Sequence, residues 1–198
     1  RSKIAMTTFL ALVLPLVLLV HTAAADQTVV ACSSTTNAVP NMAACQCPEE
    51  APAGGCKVAV ACTGSNACRD TTLDAREVHG DLELTCSGQD ACFQLTVECP
   101  PAPHACSVRC TGSDGYTCYS IDVRGGASAS VAFECATSSS YCGIRAKLAC
   151  PASRAGGSCA ATCTATGSAS QTCYSVAVHA GPAGARVACA ETERGKSR

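Results

Sequence analysis

Apolar and polar residues alternate in short blocks that recur along the chain. In KVAVAC (57–62), DLELTC (81–86), VAFEC (131–135) and RVAC (186–189), the Val, Leu or Phe positions share parity with the closing cysteine. A period of two over such a block predicts a β-strand with one buried face. A second set of blocks behaves the same way. FQLTVEC (93–99) sets Phe93, Leu95, Val97 and Cys99 on one side, YSIDV (119–123) sets Tyr119, Ile121 and Val123 there, and YSVAV (174–178) sets Tyr174, Val176 and Val178 there. Gly80, Gly125 and Gly181 punctuate the turns that follow.

The two sets are joined by cysteine-flanked peptides: CTGSNAC from Cys62, CSGQDAC from Cys86, CTGSDGYTC from Cys110, CATSSSYC from Cys135 and CTATGSASQTC from Cys163. Their starts lie 24, 24, 25 and 28 residues apart, and Cys189 follows 26 residues later. A longer period is superimposed, because Cys-Pro pairs open at Cys47, Cys99 and Cys150, about 51 residues apart. Two short rungs therefore make one long repeat. Strand-and-turn units of about 25 residues satisfy their backbone and bury one side of every strand by stacking on one another. The expected fold is all-β: a parallel β-helix, or solenoid, of 24–28-residue rungs, at least five of them, with essentially no helix after residue 26. In the first two linking peptides Gly64 and Gly88 are available for positive φ, and Ser65, Asn66, Gln89 and Asp90 sit at the tips.

Nineteen cysteines pair without conflict if each takes its nearest suitable successor. The scheme joins Cys32 to Cys45, Cys47 to Cys56, Cys62 to Cys68, Cys86 to Cys92, Cys99 to Cys106, Cys110 to Cys118, Cys135 to Cys142, Cys150 to Cys159 and Cys163 to Cys173, and leaves Cys189 unpaired. Each closed loop is short, so chain entropy assigns roughly 2 to 3 kcal/mol to a bridge. The alternative is a ladder in which equivalent cysteines pair between rungs, such as Cys62 with Cys86, because parallel strands about 4.8 Å apart bring equivalent Cα atoms within disulfide range. Connectivity does not follow from sequence alone.

Composition sets the compartment. The chain has 198 residues, no Trp, three Phe and four Tyr, so a large aromatic core is not expected. FLALVLPLVLLV (9–20) is an apolar run preceded by Arg1 and Lys3 and followed by HTAAAD, with Ala23 and Ala25 supplying the small residues of a cleavage site. That is the pattern of a secretory signal peptide, too short to span a bilayer. The expected organisation is a signal peptide over 1–25, a cysteine-rich solenoid over 26–189 and a charged tail over 190–198. An uncleaved signal anchor is the competing expectation. After residue 25 roughly one residue in nine is cysteine, which implies an oxidising, extracellular setting and no membrane association once the signal is removed. The missing initiator Met and the partnerless Cys189 suggest a fragment or an imperfect gene model.

Residues 26–98 hold ten acids and three bases, whereas residues 99–198 hold five acids and nine bases. No basic footprint for nucleic acid emerges from this. A metal centre is not expected either: the four His at 21, 79, 104 and 179 are scattered, and oxidised cysteines are spent. No cofactor is called for. There is no Asn-x-Ser/Thr sequon and no apolar tail for a lipid anchor.

The cysteine-rich strand repeats over about residues 28–189 resemble secreted proteins of the right-handed parallel β-helix, or pectin-lyase-like, type. That resemblance implies lyases and hydrolases whose chemistry depends on clustered Asp, or Asp with Arg or Lys, on adjacent rungs. The candidates here are Asp74, Arg76, Glu77, Asp81 and Glu83 in LDAREVHGDLE, with Asp122 and Arg124 farther along. Paired carboxylates could serve as acid and base on a glycosidic bond. Thr96, Arg145 and Ala177 fill the aligned slots of other rungs, so a solvated face is the simpler expectation, and Asp74, Glu77, Asp81 and Asp122 remain weak catalytic candidates. CTGS also resembles peptides of insect antifreeze solenoids, whose Thr-x-Thr ladders match ice. Only Thr162 and Thr164 make such a pair here. Phe93, Tyr119 and Tyr174 follow the second cysteine of their loops; they could form a platform for sugars, but their parity with Leu95, Ile121 and Val176 favours a buried stacking ladder. The resulting expectation is a secreted, non-enzymatic structural or binding module for an extracellular glycan or protein ligand, with a polysaccharide-active enzyme and ice binding as alternatives.

Overall fold

The computed structural model describes residues 27–48, 55–112, 115–137, 141–152, 158–166, 173–182 and 184–192. The expected signal peptide over 1–25, Asp26 and residues 193–198 lie outside the described residues. Among the described residues, fourteen strands and one turn of 3-10 helix (Met42–Ala44) make up the regular structure. In chain order the strands are β1 (Thr28–Ser34), β2 (Cys56–Thr63), β3 (Thr72–Asp74), β4 (Asp81–Ser87), β5 (Thr96–Glu98), β6 (Ala105–Gly112) and β7 (Tyr116–Thr117). They continue with β8 (Asp122–Arg124), β9 (Ser130–Thr137), β10 (Tyr141–Cys142), β11 (Lys147–Ala149), β12 (Ser158–Thr166), β13 (Ala177–His179) and β14 (Arg186–Thr192).

Every strand pair is parallel. One long-stranded sheet runs β1-β2-β4-β6-β9-β12-β14, a short-stranded sheet runs β3-β5-β8-β11-β13, and β7 pairs with β10. Each rung contributes one long and one short strand, and five such rungs stack into a parallel β-solenoid. β14 reaches Thr192, so the last strand takes in the first residues of the charged stretch.

The buried columns follow from register. Val30, Val58, Leu82, Cys106, Val131 and Cys159 align across the long sheet, as do Cys32, Val60, Leu84, Val108, Phe133 and Ala161, the second column ending at the exposed Val187. Leu73, Val97, Val123, Leu148 and Val178 face them from the short sheet. The core is narrow and aliphatic, and Phe133 is the largest side chain fully buried within it. Buried hydroxyls are satisfied by the neighbouring rung: Thr117 Oγ1 donates to Gly88 O at 2.8 Å, and Ser128 Oγ donates to Pro100 O at 2.6 Å.

All the bridges are local. Nine disulfides join Cys32–Cys45, Cys47–Cys56, Cys62–Cys68, Cys86–Cys92, Cys99–Cys106, Cys110–Cys118, Cys135–Cys142, Cys150–Cys159 and Cys163–Cys173. Cys62, Cys86, Cys110, Cys135, Cys163 and Cys189 are nevertheless register partners in one column, so an inter-rung ladder is permitted by strand spacing and pre-empted by the loops. The 51-residue period is carried by the opposite corner. The bridges opened by Cys47, Cys99 and Cys150 staple alternate corners, and Gly80 of the next rung packs against the first of them. A β carbon on Gly80 would lie 2.5 Å from Cys47 Sγ and 2.8 Å from Cys56 O. Gly80 is therefore required by close approach, whereas Gly64 and Gly88 take the positive φ expected of them, at 110° and 114°.

Candidate functional site

The weak catalytic candidates are divided among different faces. Asp74 ends β3 on the short sheet, Glu77 follows at the corner, Asp81 opens β4 on the long sheet, and Asp122 opens β8. Asp74 is in register with Glu98, and Glu98 with Arg124; Asp122 is in register with Thr96 and Lys147. Asp74 and Asp122 thus stand two strands apart in different columns. The slot paired with Asp122 holds Lys147 in the fourth rung and not Arg145, because Arg145 lies in the preceding loop.

Most of these carboxylates are already engaged. Arg76 Nη2 lies 2.6 Å from Asp74 Oδ2, and Arg76 N donates to Asp74 Oδ1 at 3.1 Å. These bonds, the side-chain one first, hold the Asp74 carboxyl well below the usual range, at about 2, and raise the Arg76 guanidinium. Arg124 bonds both Asp122 at 2.9 Å and Glu98 at 2.8 Å, and its own ionisation is pushed up by the two. Asp81 Oδ1 accepts from Ala105 N at 2.8 Å. Glu83 takes Lys57 at 2.8 Å, and that bond lowers its carboxyl. Glu77 and His79 line an open hollow with Ala43, Gln46, Cys47 and Arg76. Carboxylates fixed as partners of Arg or Lys on open faces are poorly placed to exchange protons with a substrate.

The linking loops carry a different feature. In each rung two residues separated by one take positive φ: Cys68 and Asp70, Cys92 and Gln94, Cys118 and Ser120, Gly143 and Arg145, Cys173 and Ser175. The first of each pair donates its N–H back to the preceding rung, as in Cys92 N to Ala67 O at 2.8 Å. In the first four pairs the second donates forward, as in Gln94 N to Tyr119 O at 2.8 Å. In the fourth rung glycine takes the first slot, and Cys142 bridges from one position earlier. This left-handed pair breaks the two-residue period, and the residue between its members turns outward at Arg69, Phe93, Tyr119 and Tyr174, while Ile144 in the fourth rung stays buried.

That reversal corrects the aromatic parity expected from sequence. Leu95 and Ile121 are buried, but Phe93 and Tyr119 are only half-buried and Tyr174 is 62% exposed. Phe93 and Tyr119 do stack, with centroids 5.1 Å apart and planes 9° from parallel, on the surface and not in the core. Arg69 covers Phe93 at 4.5 Å from the ring centroid, and Arg145 approaches Tyr119 at 5.9 Å. Tyr116 meets Tyr119 edge-on at 5.4 Å and stacks with Tyr141 at 5.0 Å. Phe93, Tyr116 and Tyr119 line a shallow depression.

After residue 26 the chain has six aromatic residues, and five of them, all but Phe133, belong to this loop edge. Sequence reasoning named Phe93, Tyr119 and Tyr174 and missed Tyr116, Tyr141, Arg69 and Arg145. The signal was available: each of the five aromatics falls inside or just after a cysteine-closed loop. The close trio of sulfurs at Cys86, Cys92 and Cys118 is not a metal centre, because each is held in a disulfide. On the outer face of the long sheet, Thr63, Ser87, Thr111, Ala136 and Thr164 form one small-residue column, but its neighbour is interrupted by the Arg109–Glu134 pair at 3.0 Å.

Among the described residues no helix is long and apolar enough to cross a membrane. No protein-family model, curated protein or solved structure matches this chain.

Proposed function

We propose that this chain is a secreted, non-enzymatic binding module whose recognition surface is the loop edge bearing Phe93, Tyr116, Tyr119, Tyr141 and Tyr174, and that its partner is an extracellular protein. Secretion is supported by nine bridges, which persist in an oxidising compartment. The observation that carries the reading is the concentration of five half-buried or exposed Tyr and Phe rings, with Arg69 and Arg145, at one edge of a stapled solenoid. Tyr and Arg are the residues that dominate protein-binding hot spots, and a rigid scaffold loses little entropy when they are covered.

A glycan is the weaker choice of ligand. Sugar rings stack on open aromatic faces, but Phe93 gives one face to Arg69 and the other to Tyr119. What this column offers outward is ring edge and hydroxyl, which suits a polar, shaped partner. The polysaccharide-cleaving alternative calls for two carboxylates free to act across a cleft. Asp74 and Asp122 instead hold Arg76 and Arg124.

The test is capture from extracellular fluid on immobilised chain, comparing wild type with Tyr116→Ala/Tyr174→Ala at the edge and Arg109→Ala on the long sheet. The expected result is a partner retained by wild type and Arg109→Ala and lost by the edge variant, with about tenfold or more weakening. Equal retention by all three, or a hit confined to glycan arrays, defeats the proposal.

A further inference from the structure

Two loop tyrosines of successive rungs are held side by side. Tyr116 opens β7, Tyr141 opens β10, and the two are register partners in that parallel pair. Neighbouring parallel strands lie about 4.8 Å apart, so the two side chains leave the backbone in the same direction. Their rings stack accordingly, with centroids 5.0 Å apart and planes 12° from parallel.

The backbone beneath the rings is fixed on both strands. Tyr116 lies in the loop closed by Cys110–Cys118, and Tyr141 lies in the loop closed by Cys135–Cys142. Tyr116 N donates to Asp90 Oδ1 at 2.9 Å, and Gly143 N donates to Thr117 O at 3.2 Å. Tyr116 is 42% exposed and Tyr141 is half-buried, so a small oxidant reaches both. The chain has no Trp, which leaves tyrosine as its most easily oxidised ring. The four cysteines flanking the pair are bridged and hold no thiol hydrogen to quench a radical beside them.

We propose that Tyr116 and Tyr141 form a dityrosine cross-linking site, oxidised by hydrogen peroxide through a haem peroxidase. Each phenol gives up one electron and one proton to become a phenoxyl radical, and the two hydrogen equivalents reduce one peroxide to two waters. The unpaired spin is shared with the ring carbons ortho to oxygen, and a Cε of Tyr116 bonds to a Cε of Tyr141. The hydrogen on each bonded carbon then moves to the oxygen of its own ring, restoring two phenols. Because the strands are in register, bringing the ortho carbons together takes side-chain rotation and no shift of backbone pairing. Tyr119 is placed differently: it meets Tyr116 edge-on at 81° and gives a face to Phe93. Among the described residues no ring stacks with Tyr174. The nine disulfides join cysteines 6 to 13 residues apart, and none of them links one loop to the next. The new bond ties the third rung to the fourth. It stands on ring geometry, and the binding of a partner is neither needed for it nor tested by it.

The test treats the full disulfide-bonded chain, at low concentration, with a haem peroxidase and hydrogen peroxide, followed by dityrosine fluorescence and peptide mapping. The expected product is a monomer lighter by two hydrogen atoms, with the Tyr116 and Tyr141 peptides joined by a link that reductant leaves intact. Its yield is independent of protein concentration, because the fold already holds the reacting rings together. Tyr116→Phe and Tyr141→Phe keep a ring in the stack and lose the product, whereas Tyr119→Phe and Tyr174→Phe retain it. Absence of dityrosine in the wild-type chain, an intramolecular link surviving in Tyr116→Phe or Tyr141→Phe, a Tyr116–Tyr119 bond, or coupling confined to concentration-dependent dimers would each overturn the site.

Discussion

Phe93 and Tyr119 stack face to face across one rung, with ring centroids 5.1 Å apart, because each lies between two left-handed residues that turn it out of the core. A stacked pair on consecutive rungs couples those rungs beyond the backbone ladder. Offset aromatic pairs contribute about 0.5 to 1.5 kcal/mol beyond area burial. The Phe93→Ala, Tyr119→Ala double-mutant cycle, followed by urea unfolding with disulfides intact, is expected to give a coupling energy in that range. Strict additivity would mean that the rings merely share a surface.

The loop bridges make a second expectation. Replacing Cys62 and Cys68 together by Ser opens a short loop, which costs about 2 to 3 kcal/mol on the chain-entropy account. Both sulfurs are fully buried, so two hydroxyls left in the core add to that loss. Chemical denaturation of the double variant measures the sum; a change below about 1 kcal/mol would place the stability elsewhere.

Much of this architecture was legible in advance, and the reasons are local. The alternation in DLELTC fixes which face of β4 is buried, and the spacing of Cys62, Cys86 and Cys110 fixes the rung length, since equivalent residues must return to the same column. The aromatic edge was misread because parity counting assumes an extended backbone. Cys92 and Gln94 have φ of 55° and 53°, and nothing in CFQLTVEC announces that two non-glycine residues turn left-handed there. They do so because the inter-rung bonds of their N–H groups repay the conformation. Arg69 and Arg145 were missed for a related reason: contacts made across rungs lie about 25 residues away in sequence.

Asp74 gives the acid dependence its sign. Its folded carboxyl titrates at about 2 because of the bonds from Arg76, below an unfolded value near 3.8. The depressed value means that the pair stabilises the fold above the unfolded value, and that this contribution is lost as pH falls from about 4 to 2. The Asp74 side chain is 47% exposed, so solvent screening keeps the contribution below about 1 kcal/mol. Carboxyl NMR titration is expected to show the Asp74 midpoint rising toward about 3.9 in Arg76→Gln. An unchanged midpoint would assign the depression to something other than Arg76.

Gly80 tests why alternate corners are bridged. A β carbon there meets Cys47 Sγ at 2.5 Å and the Cys56 carbonyl oxygen at 2.8 Å. One neighbour is a bridged sulfur and the other is backbone, so neither can swing aside as a long flexible side chain would. Relief must come from separating the first rungs, which lengthens the β2–β4 ladder next to the Cys47–Cys56 staple. Gly80→Ala is therefore expected to destabilise by about 1 to 3 kcal/mol, the usual cost of overpacking a well-packed site. Alanine normally stabilises relative to glycine by restricting the unfolded chain, so the sign itself discriminates. Removing the staple as well, with Cys47→Ala and Cys56→Ala, deletes the contacted sulfur but leaves the carbonyl. In that background the penalty of Gly80→Ala should shrink without vanishing. Thermal unfolding of the four proteins supplies the comparison, and a penalty undiminished by removal of the bridge would locate the constraint in the backbone alone.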